Sequence, residues 1–482
     1  MSKILYISSE AFPLIKTGGL ADVAGSLPVA LQKNSQDVRL LLPAYPEVIN
    51  KIKKNKIRAE TSYFNLSVQI IETRLPGSNV ITWLVDCPAL FNRSGGPYAD
   101  EHGDEWHDNA LRFAVFCLAA VDLALNKFQL QWQPDVVHCN DWQSGLVPAL
   151  LSLQPQRPAT VFTIHNLAYQ GLFDKQTFLD LNLPIELWHM DGLEFHNQLS
   201  FIKGGLAYAD EITTVSPNYA REILQPEFGY GLDGLLKHRV KNLSGIINGI
   251  NEKQWNPGTD DFITQKYNRR SLEKKLTNKT SLQEELKLTI DASTPMIGMV
   301  SRLVEQKGLD IILTSLSTLL TMPFQLVILG TGNTHYELEL SKWSRKFPNR
   351  FKVMIGYDES FAHRIEAASD IYLMPSTFEP CGLNQLYSLR YGTLPIVTAV
   401  GGLLDTVTDA TDRNIENNTA NGFVLKEHSA SALIVSIKHA LTLYQQTRTW
   451  QKLQITAMSG DFSWQSSAEH YISLYQRAIK KL

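Results

Sequence analysis

A chain of 482 residues exceeds what one hydrophobic core usually serves, so two domains are the starting expectation. An apolar share of 44% and a charged share of 19% describe an ordinary globular protein, and a net charge of −3 offers no general attraction to nucleic acid or to an anionic membrane. The longest greasy helix candidate, Phe113–Val121, is too short to span a bilayer, which excludes a helical membrane protein as the reading.

The N-terminus, MSKILYISSE, carries one Lys and a short apolar run and reads as a first strand rather than a signal peptide. The loop after it holds KTGG, and a helix is predicted over Leu20–Lys33, followed by a strand over Val38–Pro43. SVQIIETRL and NVITWLVDCP form a hairpin around Pro76-Gly77. A polar loop precedes a buried helix running to Leu125, and three strands then begin at Pro134, Ala159 and Glu211. Near Ile246–Asn251 the rhythm pauses, and a Lys- and Asn-rich stretch to Leu288 reads as a hinge and an outer helical segment. Alternation restarts with PMIGMVSR, FQLVILGTG, RFKVMIGY, DIYLMPS and LPIVTAVGG, and the chain closes on one amphipathic helix. Two such βαβ ladders predict an α/β protein with two open, mostly parallel, doubly wound sheets. Cys87, Cys117, Cys139 and Cys381 include no close pair, so free, mostly buried thiols in a cytoplasmic protein are expected.

The polar and glycine clusters fall at the ends of these strands, where doubly wound sheets bind ligands. In the first half they are Lys16–Gly19, His138–Asp141 and His165-Asn166; in the second, Arg302, Gly330 with Gly332, Glu379, and Gly401-Gly402. Strand-end loops are generically polar, which accounts for any one cluster but poorly for all of them. Arg302 and Lys307 in SRLVEQKG bracket a strand-to-helix turn, and a guanidinium fork with a mobile ammonium can reach a diphosphate. The same pair could be a solvated surface pair. Lys16 before Gly18 and Gly19 suggests a phosphate loop, although neither GxGxxG nor GxxxxGK[ST] is present. His165 is readable as a satisfied core histidine or, beside Asn166, as a recogniser of hydroxyls. Cys381 reads as a packed residue, and His138 with Asp141 lacks a third ligand for a metal.

The stretch PSTFEPCGLNQLYSLRYG, Pro375–Gly392, organises the second half. A buried strand leads into it and apolar residues return afterwards at helical spacing, with Pro380 expected near a first helical position. Glu379 is the only carboxylate in that turn, beside a helix end whose free N–H groups favour an anion. That combination suits transfer of a group away from a phosphate; the alternative is an ordinary strand–turn–helix with a solvated glutamate.

KTGGLADV, DWQSGLVP, TIHNLAYQG, INGI, SRLVEQKGLD and FEPCGLNQLY–YGTLP, in this order, resemble the bacterial glycogen synthase and plant starch synthase family, over the chain from Met1 to the C-terminal FSW segment. The resemblance implies a GT-B fold of two Rossmann-like domains with a cleft between them: residues 1–248, residues 249–460, and a last helix, 461–482, returning to the N-terminal domain. It implies retaining transfer of glucose from ADP-glucose to the 4-hydroxyl at the non-reducing end of an α-1,4-glucan such as glycogen, with no metal and no cofactor. Carried over onto matching positions, Lys16, Gly18 and Gly19 approach the donor's diphosphate. His165 and Asn166 hold glucosyl hydroxyls, with Asp141 and Tyr98 beside them. Arg302 and Lys307 bind the diphosphate, and Glu379 is the central carboxylate. Asn248 and the backbone of Gly382 and Leu383 are further substrate contacts.

The chain departs from the wider pattern in two respects. Tyr387 stands where related retaining transferases carry a second Glu, so ribose recognition must differ. Thr377 and Ala399-Val400 stand where family members can be basic. A single evident carboxylate argues against the two-carboxylate scheme of retaining glycosidases and for a front-face route. The rival readings are a UDP-glucose-using synthase, an α-glucan phosphorylase requiring pyridoxal phosphate, and a catalytically impaired glucan-binding relative. Together, Lys16, His165, Arg302, Lys307 and Glu379 argue against the last, because glucan binding alone needs no diphosphate cradle. The sequence carries no signal for an oligomeric state.

Overall fold

The computed structural model describes residues 1–482 and divides the chain into two compact units. Unit 1 comprises Met1–Gly249 and Trp464–Leu482; unit 2 comprises Ile250–Ser463. Each is built on its own sheet, as the two ladders of strand–helix alternation require.

In unit 1 the strands are β1 (Lys3–Ile7), β2 (Asp37–Pro43), β3 (Lys56–Tyr63), β4 (Leu66–Arg74), β5 (Ile81–Asp86), β6 (Val136–Asn140) and β7 (Ala159–Ile164). After them come β8 (Leu172–Asp174), β9 (Glu194–Phe195), β10 (Gln198–Ser200), β11 (Glu211–Thr214) and β12 (Leu243–Gly245). Nine of them form one sheet in the order β12-β11-β7-β6-β1-β2-β5-β4-β3, and β8-β10-β9 form a small sheet of their own. β6, β7 and β11 are buried at every position, as strands covered on both faces by helices must be. The hairpin around Pro76-Gly77 is antiparallel, and β3 extends it as a third antiparallel strand. The first strand runs parallel to both β2 and β6.

The helix Asn109–Ala124 is buried almost all round, which explains its nearly uniform apolar sequence. The closing helix, Trp464–Ile479, is one-sided instead. Trp464, Ala468, Tyr471, Tyr475 and Ala478 recur at helical spacing and are buried, and the helix lies against Gly19–Lys33 and β7. No helix of the chain is long and apolar enough to cross a membrane.

In unit 2, β13 (Met296–Val300), β14 (Gln325–Gly330), β15 (Phe351–Ile355), β16 (Ile371–Met374), β17 (Leu394–Thr398) and β18 (Phe423–Leu425) form an all-parallel sheet. Its order is β15-β14-β13-β16-β17-β18. The chain therefore winds outward from β13 in one direction and then crosses to continue from β16 in the other. That reversal leaves a crevice outside the carboxyl ends of β13 and β16, the usual ligand position of a doubly wound sheet. Unit 1 has the same reversal between β1 and β6.

Candidate active site

In unit 2 the two loops flanking the reversal are those the sequence marks. Arg302 and Lys307 follow β13, and Glu379 follows β16. Lys307 Nζ lies 2.5 Å from Glu379 Oε2, and the two side chains are only 15% and 11% exposed. Ser376 Oγ donates to the same carboxylate oxygen at 3.2 Å. Glu379 is thus neither solvated nor alone. Arg302 reaches only Gln306 Oε1, at 3.4 Å, and keeps most of its fork available.

The turn around Glu379 is tied down by side-chain amides that carry no chemical signal of their own in the sequence. Gln306 receives the Thr377 amide on its carbonyl and donates its own side-chain amide to the Phe378 carbonyl. Gln385 Nε2 donates to the carbonyls of Cys381 (2.9 Å) and Gly382 (3.1 Å). Asn384 Nδ2 donates to the Val300 carbonyl, which bridges the turn to the end of β13. The helix expected near Pro380 begins instead at Asn384. The reason is Gly382, whose φ of +73° breaks the helical path and turns the chain so that Gln385 can close it. Gly401 is required by closeness as well as by its φ of +45°: a Cβ there would sit 1.9 Å from the Glu379 carbonyl oxygen. The Gly402 amide donates to that same carbonyl at 3.1 Å. The second glycine pair therefore supports the Glu379 turn from behind. Tyr387 is buried and stacks on Trp255 with ring centroids 3.9 Å apart, so the position of the absent second Glu belongs to the core of this unit.

In unit 1 the loops after β1, β6 and β7 adjoin because those strands are neighbours. His165 and Asn166 follow β7, and their amides donate to Asp141 Oδ1 at 2.7 and 3.4 Å. Asp141 itself follows β6 with a φ of +54° and a ψ of −178°, a strained backbone conformation that only glycine adopts readily. Burial pushes its carboxyl up to about 7, the two amides oppose that rise, and the Glu10 charge adds to it. Desolvation pulls the His165 imidazole down to about 3, so it is neutral at physiological pH. Asn166 Oδ1 accepts the Ala168 amide.

Glu10, a lone carboxylate with no motif around it in the sequence, organises the loop after β1. Its carboxylate accepts the amides of Thr17 (2.5 Å) and Gly18 (3.1 Å) and the Tyr98 hydroxyl (2.5 Å). Tyr98 also meets Ser9 Oγ at 2.7 Å, so its hydroxyl is held within this loop. Lys16 pairs with Asp22 at 2.9 Å, and Gly19 opens the helix Gly19–Lys33. A Cβ on Gly18 would meet nothing within 4 Å. Asn248 is buried and its Oδ1 has no hydrogen-bond partner. His138 gives both ring nitrogens to hydroxyls, Tyr475 at 2.8 Å and Thr163 at 2.6 Å. No cluster of three or more His, Cys, Asp or Glu side chains with the reach to hold a metal ion exists in the chain, and all four cysteines are free and buried.

Residues 3–238 match the starch synthase catalytic domain family and residues 282–453 match the glycosyl transferases group 1 family. The chain is 55% identical to the glycogen synthase of Cellvibrio japonicus (strain Ueda107), over 98% of this chain and 99% of that one. It is 52% identical to glycogen synthase 1 of Methylococcus capsulatus (strain ATCC 33009 / NCIMB 11132 / Bath), over 99% and 97% respectively. Among solved structures, the catalytic domain of starch synthase IV from Arabidopsis thaliana, bound to ADP and acarbose, superimposes with a TM-score of 0.90 at 32% identity, covering 99% of each chain. Sucrose-phosphate synthase from Thermosynechococcus elongatus shares the fold alone, at 16% identity and a TM-score of 0.61. With two Rossmann-like units and matches along nearly its whole length, the chain belongs to the glycogen synthase and starch synthase family of GT-B glycosyltransferases.

Proposed function

We propose that this enzyme transfers glucose from ADP-glucose to the 4-hydroxyl at the non-reducing end of an α-1,4-glucan, with retention of configuration. The observation that carries the reading is the Lys307–Glu379 pair beside Arg302, at the carboxyl ends of the two strands that flank the reversal of unit 2. An ammonium and a guanidinium there supply the charge a departing nucleoside diphosphate needs, without a metal. Glu379, held by Lys307 and Ser376, faces the positive character that develops on the sugar ring as the bond from C1 to the diphosphate oxygen lengthens. The acceptor oxygen bonds to C1 on the face the leaving group vacates, and its proton passes to the departing phosphate oxygen. Lys307 can shift part of its charge from Glu379 to that phosphate as it leaves.

Unit 1 serves sugar hydroxyls with one cluster and an anionic group with one loop in this reading. His165 and Asn166, neutral and anchored through Asp141, suit sugar hydroxyls. Lys16, Gly18 and Gly19 lie at the start of a helix, where an anionic group is favoured, and Tyr98 and Asn248 are further contacts. The decisive measurement is incorporation of labelled glucose into glycogen, with ADP-glucose and UDP-glucose compared at equal concentration. Incorporation from ADP-glucose, strongly preferred, is expected. No incorporation from either donor would overturn the reading, and preference for UDP-glucose would overturn the choice of nucleotide.

A further inference from the structure

Asn140 is the last residue of β6 and is wholly buried, between His138 and Asp141 in sequence. Its Nδ2 donates to the Ile7 carbonyl at 2.9 Å. A carbonyl oxygen only accepts, so this contact fixes which way the amide faces. Oδ1 is then turned to Tyr6, whose hydroxyl donates at 3.1 Å, and to His165 Nε2, at 2.9 Å. An amide oxygen has no hydrogen to give, so Nε2 must carry one. In a neutral imidazole the lone pair then sits on Nδ1, which has no hydrogen-bond partner within the protein. Tyr6, itself fully buried on β1, keeps Oδ1 from rotating away.

We infer that Asn140 is a positioning residue that holds His165 as the Nε2–H tautomer, so that Nδ1 accepts a hydrogen bond from a hydroxyl of the bound sugar. The inference rests on the reading of His165 as a contact of the glucosyl unit. It adds a direction to that contact: the sugar must donate. A site built this way discriminates against a donor in which fluorine replaces that hydroxyl, because fluorine offers no hydrogen and leaves Nδ1 unsatisfied. A residue that merely tied β6 to β1 would affect stability and leave the tautomer unchanged.

The test uses the full chain labelled with ¹⁵N at histidine, with the His165 resonances assigned by their loss in His165→Gln. Long-range ¹H–¹⁵N spectra distinguish protonated from unprotonated ring nitrogens. In the unsubstituted protein Nε2 is expected in the protonated range and Nδ1 in the unprotonated range. Asn140→Ala should yield a mixture of tautomers and lower kcat/KM for ADP-glucose about tenfold, as expected for one neutral hydrogen bond. That loss should shrink for whichever deoxyfluoro analogue of ADP-glucose lacks the donating hydroxyl. A protonated Nδ1 in the unsubstituted protein overturns the inference even if Asn140→Ala fails to fold. An unchanged tautomer in a folded Asn140→Ala overturns it as well. If the tautomer responds as expected but the unsubstituted protein transfers no glucose, the glucosyltransferase reading falls while the hold of Asn140 on His165 stands.

Discussion

The crevices of the two sheets treat charge in opposite ways. In unit 1, Asp141 is buried and His165 half-buried, neither with an ionic partner, and desolvation moves both towards their neutral forms. In unit 2, Lys307 and Glu379 are nearly as enclosed, yet each keeps its charge partner 2.5 Å away, and Arg302 stands exposed beside them. Burial alone favours neutral hydrogen-bonding groups, whereas a close opposite charge offsets part of the desolvation cost of an enclosed ion. The first arrangement suits hydroxyls and the second a diphosphate with a charged transition state.

The sharpest way to break this comparison is to remove the charge from unit 2. Glu379→Gln is expected to lower kcat by about 10²-fold or more, the scale seen when a preorganised charge contact of the transition state is lost. ADP affinity should stay within a few-fold, because Lys307 and Arg302 remain and Lys307 is released from its partner. Glucose incorporation and calorimetric ADP titration check the two halves. Near-normal turnover would remove Glu379 from its central role.

Two glycines sharpen the contrast next. Gly401→Ala places a Cβ 1.9 Å from the Glu379 carbonyl at a positive φ, so a stability loss of about 1–3 kcal/mol and at least ~10-fold lower activity are expected. Gly18→Ala meets open space and should leave the denaturation midpoint unchanged. Any activity it loses then reports a ligand approaching that loop, whereas full activity would take Gly18 out of the substrate contacts.

A smaller effect is expected from titrating unit 1. The folded carboxyl of Asp141 lies at about 7, above the ~4 of an unfolded aspartate. Between those values the folded state keeps a proton the unfolded state has lost. The contribution to stability is therefore fully present below about pH 4 and is lost as pH rises through about 7. Asp141→Asn removes this loss, so its stability relative to the unsubstituted protein should rise between pH 5 and pH 8 in denaturant melts. A difference that stays constant, or falls, would mean the carboxyl is not held protonated by burial.

The smallest effect is expected from chelation. Lys16, Arg302 and Lys307 supply positive charge from the chain itself, so activity should be retained after exhaustive treatment with EDTA. Loss restored by magnesium or manganese would show that these side-chain cations are insufficient.

Much of the fold is legible in the sequence because parallel strands buried on both faces are short, continuous apolar runs, as in IYLM. β3 is not legible in that way: KIRAETSY has no buried position, so an edge strand leaves no apolar signal. β8, β9 and β10 are two or three residues long and leave none either. The candidate site divides along the same line. Lys16, Asp141, His165, Arg302, Lys307 and Glu379 stand out because polar residues and glycines directly after apolar runs mark strand ends. Glu10 and Asn140 do not, since a lone carboxylate or amide there looks like any loop or strand residue until its partners are known.

The sequence by itself determined the two ladders of strands, the residue types at their carboxyl ends and the family to which they belong. Only the tertiary structure decided which of those ends are neighbours, because strand order depends on where each helical crossover returns, and that is a matter of packing across the whole sheet. It alone decided that Glu379 is paired with Lys307 and that Gly401 supports its turn. It also set the protonation of Asp141 and the tautomer of His165, which follow from desolvation and from a hydrogen-bond partner on another strand.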